Sequence, residues 1–147
     1  MSDETATEKP KRVDGQMTGL AGELFVAAEL LKRNLQVSLT FGNAKAIDLF
    51  AHNPATERMF TVQVKASRKK NYFPISHGKV NAAHVYVFVL LNKPGEAVQY
   101  FIVPRKVLAE EPERFTKWFV DPKFPGIHPN VLKDFAENWK LFDERAC

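Results

Sequence analysis

At 147 residues, with 45% apolar residues, twelve phenylalanines and a net charge of +4, the chain can fill one core, which excludes an intrinsically disordered protein. Its single cysteine, Cys147, is the last residue, which excludes an intrachain disulfide and a thiolate metal centre. No apolar run approaches the ~20 residues that span a membrane, and the polar first residues lack the apolar stretch of a secretion signal, so a cytoplasmic protein is expected.

Residues 1–16, MSDETATEKPKRVDGQ, are polar and aperiodic and read as a disordered tail ahead of a single domain over 17–147. The stretch 18–35 reads as a helix with Thr18 as its N-cap and an apolar stripe at Leu20, Leu24, Ala27, Ala28 and Leu31. Gly19 and Gly22 are small enough to admit a neighbouring backbone. Glu23, in the first turn, either answers the helix dipole or reaches toward the polar cluster that follows.

Leu35 to Phe41, with QVSLTF inside it, reads as a first strand closed by a Gly42-Asn43 turn. Ala46 to Ala51 is a short apolar strand with one carboxylate, Asp48, inside it. Asn53-Pro54 carries turn chemistry, because proline cannot donate to a ladder. Residues 59–67, MFTVQVKAS, then alternate, with Phe60, Val62 and Val64 on one face and Thr61, Gln63 and Lys65 on the other. A three-strand meander of this kind brings Asp48, Gln63 and Lys65 to one spot.

Asn71 to Lys79 is irregular, with Pro74 and Gly78 as breakers. HVYVFVLL, residues 84–91, is an unbroken β-branched and aromatic run, the pattern of a central strand buried on both faces. Asn92-Lys93-Pro94-Gly95 is a turn, residues 97–103 form another strand, and Pro104 opens a short helix. Residues 115–129 read as a packed loop and 130–142 as a last amphipathic helix, with Val131, Leu132, Phe135, Trp139 and Phe142 on one side. This order makes an α/β protein, a central mixed sheet flanked by helices, with a helix at the C-terminal end.

Charge is unevenly placed. From Arg58 to Gly95 there is no acid, while Arg58, Lys65, Arg68, Lys69, Lys70, Lys79 and Lys93 are all basic. A solvated face explains such a run, as does an anionic partner, and its position beside the polar cluster favours the partner. Arg68, Lys69, Lys70 and Lys79 are the candidate phosphate contacts. Tyr72 and Phe73 either stack on bases or pack in the core. Trp118 and Trp139 read as packing residues. The four histidines, His52, His77, His84 and His128, show no ligand spacing, and only His77 lies in the basic loop.

GLAGELFVAAELL, AIDLFA and FTVQVKAS together resemble the PD-(D/E)xK nuclease superfamily, in particular its small members related to archaeal Holliday junction resolvases. The resemblance covers roughly residues 18–105 and implies a restriction-endonuclease-like core. It places the active site on Glu23, Asp48, Gln63 and Lys65. It further implies Mg²⁺ or Mn²⁺ held by Asp48, Gln63, Glu23 and the Val64 carbonyl, with Lys65 orienting water or offsetting charge. Metal-dependent cleavage of DNA, branched or damaged, follows as the expected function, with RNA as a second substrate class and a homodimer as the expected assembly. Gln63 stands where an acid is commonest, and Ile47 replaces the proline of the motif. The alternative is therefore an inactive nucleic-acid-binding or protein-interaction module on the same fold.

Overall fold

Residues 15–40 and 47–145 are described by a computed structural model. Helix α1 (Gly15–Lys32) is followed by strands β1 (Gln36–Leu39), β2 (Leu49–Asn53) and β3 (Arg58–Ser67). The three pair antiparallel as the expected meander, with Leu49 opposite Val62. Strand β5 (Val85–Leu90) lies parallel to β3 and antiparallel to β6 (Gln99–Val103), giving one five-stranded sheet in the order β1-β2-β3-β5-β6. Every residue of β5 is buried, as its continuous apolar run predicts. A two-residue strand, β4 (Phe73–Pro74), sits in the β3-to-β5 crossover and pairs with β7 (Gly126–Ile127) from the C-terminal part. Helix α2 (Val107–Glu110) begins after Lys106, which takes φ 75°, and so starts three residues beyond the expected proline.

Helix α1 covers one face of the sheet, where Val26, Ala27 and Leu30 pack with Leu49, Val62, Val64, Val85 and Val87. Of the expected stripe only Ala27 faces the sheet. Leu20, Leu24 and Leu31 are 44%, 48% and 55% exposed, while Gly22, Glu23, Val26, Ala27 and Leu30 are buried. The cause is a close approach: a Cβ on Gly22 would lie 2.6 Å from the Ala66 Cβ. The helix approaches β3 this closely only because Gly22 has no Cβ, and that contact favours this rotation. Thr18 lies within α1 rather than at its start, and Gly15 and Gln16, assigned to the tail, are helical. The rest of that tail, residues 1–14, and the Gly42-Asn43 turn lie outside the described residues.

The opposite face is covered over β5 and β6 by an aromatic layer in which Phe73, Phe115, Phe119 and Leu132 pack on Tyr86, Phe88 and Phe101. The helix expected over residues 130–142 is instead two 3-10 segments, Pro129–Phe135 and Trp139–Asp143. Between them the backbone docks on β6. Ala136 bridges Phe101, the Glu137 N–H donates to the Tyr100 carbonyl at 2.9 Å, and Glu137 takes φ 52°. Pairing with a sheet edge has displaced the local helical preference. Leu132 and Phe135 therefore join the aromatic layer, and Trp139 and Phe142 fold round the edge into the α1 layer. The aromatic layer stops short of β3, leaving the outer face of Thr61, Gln63 and Lys65 partly open.

Candidate active site

The site lies where β2 and β3 part. The Asp48 backbone is still in the ladder, its N–H donating to the Val62 carbonyl and its carbonyl accepting from Thr40 N, both at 3.1 Å. One step further the strands separate, and the Asp48 carboxylate takes over: its Oδ2 accepts the Val64 N–H at 2.8 Å. Thr40 Oγ1 donates to the Ile47 carbonyl and holds the approach to Asp48. Asp48 is 4% exposed, so a charge that would be costly when buried alone is met here by a backbone donor. Within a strand the N–H and C=O of one residue leave on the same edge, so the Val64 carbonyl also faces this split.

Gln63 and Lys65 project from the other face of β3, as their alternation requires, and both line a single cavity. The Gln63 Oε1 is buried and accepts no hydrogen bond among the described residues. An orphaned buried acceptor costs about 1–3 kcal/mol, so this atom is available to a donor or cation supplied from outside. An oxygen donor on Gln63, an adjacent carboxylate and a backbone carbonyl are the hard ligands that Mg²⁺ or Mn²⁺ takes, so the residues fit such an ion. Among the described residues, however, no three His, Cys, Asp or Glu side chains converge. Glu23 is 7% exposed on α1, one residue from the Gly22 contact with Ala66 and Val64.

His84 belongs to this cavity and was not singled out from the sequence. It is 8% exposed, and its Nδ1 lies 2.8 Å from Thr61 Oγ1. Burial lowers its pKa below the usual 6.5, and the Asp48 charge opposes part of that shift. Its place follows from the parallel β3–β5 register, Val62 opposite Val85, which sets the residue before β5 beside Thr61. His77, the histidine marked by its basic surroundings, instead bonds the Ala109 carbonyl at 2.9 Å and packs edge-on against Phe119. Its role is structural.

The basic residues divide. Arg68 Nε donates to Thr18 Oγ1 at 2.9 Å, tying the end of β3 to α1, while Lys69 and Lys70 are exposed in the following turn. Lys79 is exposed and lines the cavity with Lys65. Phe73 is fully buried and Tyr72 is 44% exposed, so of that pair only Tyr72 faces outward. Trp139 is a core residue, while Trp118 is 42% exposed at the cavity.

No family model matches the chain, and no curated protein sequence matches it. Among solved structures the chain is similar to a bacterial homing endonuclease, I-Ssp6803I, with a TM-score of 0.59, 16% identity, and coverage of 88% of this chain and 91% of that one. It is also similar to Hjc of Archaeoglobus fulgidus, a Holliday junction resolvase from an archaeal hyperthermophile, with a TM-score of 0.55, 15% identity, and coverage of 88% and 98%. At these identities the likeness is one of fold. The resemblance read from the motifs thus extends to the architecture: the mixed α/β sheet is one that nucleases use.

Proposed function

We propose that the protein is a metal-dependent nuclease that hydrolyses phosphodiester bonds in DNA, branched or damaged DNA included. The observation that carries this reading is the buried, unpartnered Gln63 Oε1, which shares a cavity with Lys65 on the strand whose Val64 N–H the Asp48 carboxylate accepts. Asp48, Gln63 and the Val64 carbonyl would hold Mg²⁺ or Mn²⁺, and Glu23 would add a carboxylate directly or through water. The ion, when bound, would make a water nucleophilic near neutral pH and offset phosphate charge. Lys65 donates to the attacking water or to the phosphoryl oxygens as negative charge builds on them. Arg68, Lys69, Lys70 and Lys79 hold neighbouring phosphates and set the strand's register. His84, kept neutral by burial, hydrogen-bonds without adding charge. A homodimer fits this reading, since α1 leaves Leu20, Leu24 and Leu31 exposed, and the cytoplasm is the proposed location.

The second reading, an inactive nucleic-acid-binding module, is favoured by one observation: Gln63 lacks the charge of an acid, and no three His, Cys, Asp or Glu side chains converge among the described residues. Cleavage assays on duplex, single-stranded, flap and four-way-junction DNA in Mg²⁺, Mn²⁺ or EDTA separate the two. Metal-dependent cutting abolished by Asp48→Ala and Lys65→Ala supports the nuclease. Salt-sensitive binding without cutting, unaffected by both substitutions, supports the binding module.

A further inference from the structure

The cavity that Gln63 and Lys65 line continues well beyond them, to a volume of about 980 Å³. Its walls come from two distant parts of the chain: Tyr72 and Ile75 from the β3-to-β5 crossover, and Trp118 and Phe124 from the loops after α2. Three of these aromatic side chains are uncovered. Phe124 is 81% exposed, Tyr72 44% and Trp118 42%, whereas Phe73, Phe88, Phe115, Phe119 and Phe142 are fully buried. Phe25 and Phe50, 43% and 36% exposed, are the other uncovered aromatics among the described residues, and neither lines this cavity, so three of five stand round one opening.

Their positions are held in place. The Asp121 carboxylate accepts the Lys123 N–H at 2.7 Å and the Phe124 N–H at 3.1 Å, a local turn that carries Phe124 outward. Tyr72 has its ring edge-on to His128, with centroids 5.1 Å apart. Behind it, Gly126 lets β7 lie against β4, because a Cβ there would come within 3.2 Å of the Phe73 carbonyl oxygen. Lys65, Lys79 and Lys123 line the cavity, and among the described residues no aspartate or glutamate does.

Flat apolar rings with cations between them, and no acids, complement a strand of nucleic acid whose bases are free to stack. A paired base presents only its edges and cannot enter. We propose that this cavity binds unpaired nucleotides next to the Asp48–Lys65 site, stacking bases on Phe124, Trp118 and Tyr72 and holding their phosphates on Lys65, Lys79 and Lys123. The proposal rests on the nuclease reading and narrows its substrate class to nucleic acid with an unpaired stretch at or beside the scissile phosphate.

The test is fluorescence anisotropy with a labelled single-stranded DNA oligonucleotide and the blunt duplex of the same sequence, run beside cleavage of a flap substrate. The wild-type protein is expected to bind the single strand more tightly than the duplex. Phe124→Ala and Trp118→Ala, both at exposed positions, are expected to weaken single-strand binding about 5- to 100-fold each and to leave the duplex within about twofold. Lys123→Gln is expected to flatten the salt dependence for the single strand by about 0.7 in log–log slope. Equal losses on both DNAs, or no loss on either, overturn the proposal. Cleavage that needs Asp48 but ignores Phe124 and Trp118 overturns the cavity and leaves the nuclease standing. Aromatic-dependent single-strand binding without cleavage overturns the nuclease and supports the cavity as a binding site.

Discussion

The Asp48 carboxylate accepts the backbone N–H of Val64 at 2.8 Å, and so stands in for a strand that has just left the sheet. Two demands meet on one side chain. The sheet needs an acceptor for a donor that would otherwise be orphaned, and phosphodiester chemistry needs a hard anionic ligand. The demands can be separated because an amide meets the first and not the second.

Asp48→Asn is therefore expected to unfold in urea close to the wild type while losing metal-dependent cleavage. Asp48→Ala loses the acceptor as well and is expected to cost about 1–3 kcal/mol of stability. Urea denaturation and a cleavage assay on the same two preparations check this. An Asp48→Asn protein that cuts normally would remove the carboxylate from the chemistry.

Gln63→Glu restores the charge that the commonest form of the motif carries. Because ligand charge tunes divalent-ion affinity, the Mg²⁺ concentration for half-maximal cleavage is expected to fall by on the order of tenfold. A metal titration of the cleavage rate checks it. Without metal, Gln63→Glu buries an added charge beside Asp48 and is expected to be the less stable protein in EDTA.

Gly19 and Gly22 lie three residues apart on α1 and predict opposite outcomes. A Cβ on Gly19 meets nothing within 4 Å, so Gly19→Ala is expected to stabilise by about 0.5–1 kcal/mol through helix propensity alone. A Cβ on Gly22 would sit 2.6 Å from the Ala66 Cβ, and overpacking of about 1–3 kcal/mol exceeds the same propensity gain. Gly22→Ala is expected to lower the urea midpoint and Gly19→Ala to raise it.

Tyr100 is pushed up to about 12 by burial, with the Glu29 and Glu137 charges adding and Arg33 opposing, from a usual value of 10.0. Between those two values the folded chain keeps a phenol proton that the unfolded chain has lost. Stability gained below pH 10 is therefore expected to drain away as pH rises toward 12. Tyr100→Phe should remove that part of the alkaline slope and the last step in tyrosinate absorbance. Urea unfolding at several alkaline pH values reads the slope directly.

The exposed row on α1 gives the assembly its test. Leu24→Lys, at a position 48% exposed, is expected to leave the thermal midpoint within about 2 °C and to shift a homodimer to monomer in sedimentation velocity. A monomeric wild type would overturn the homodimer.

Much of the frame was legible because it rests on period and punctuation. The alternation of MFTVQVKAS put Gln63 and Lys65 on one face, and the unbroken HVYVFVLL run marked the buried strand. Helix α1 was found but turned the wrong way, because leucine spacing describes a stripe without saying which stripe meets the sheet. One glycine against Ala66 decided it. The segment after Asn130 carried a helical pattern, yet Ala136 and Glu137 pair with β6, a contact across more than thirty residues that no local window contains. His84 and the aromatic rim were hidden for the same reason: both are assembled by long-range register, β3 with β5 and β4 with β7.

The β4–β7 pairing is two residues long, Phe73 opposite Ile127 and Pro74 opposite Gly126, and it stands apart from the five-stranded sheet. Asp48, Gln63 and Lys65 are built on the broad sheet, while Tyr72 and the Phe124 loop are moored to this short ribbon. If the proposed roles hold, bond-breaking groups and substrate-choosing groups have separate anchorages. On those roles, an inherited change of length or sequence in residues 117–125 would alter which nucleic acid is accepted while the groups on the broad sheet stay in place, and the same chemistry would be re-addressed by redrawing a single loop.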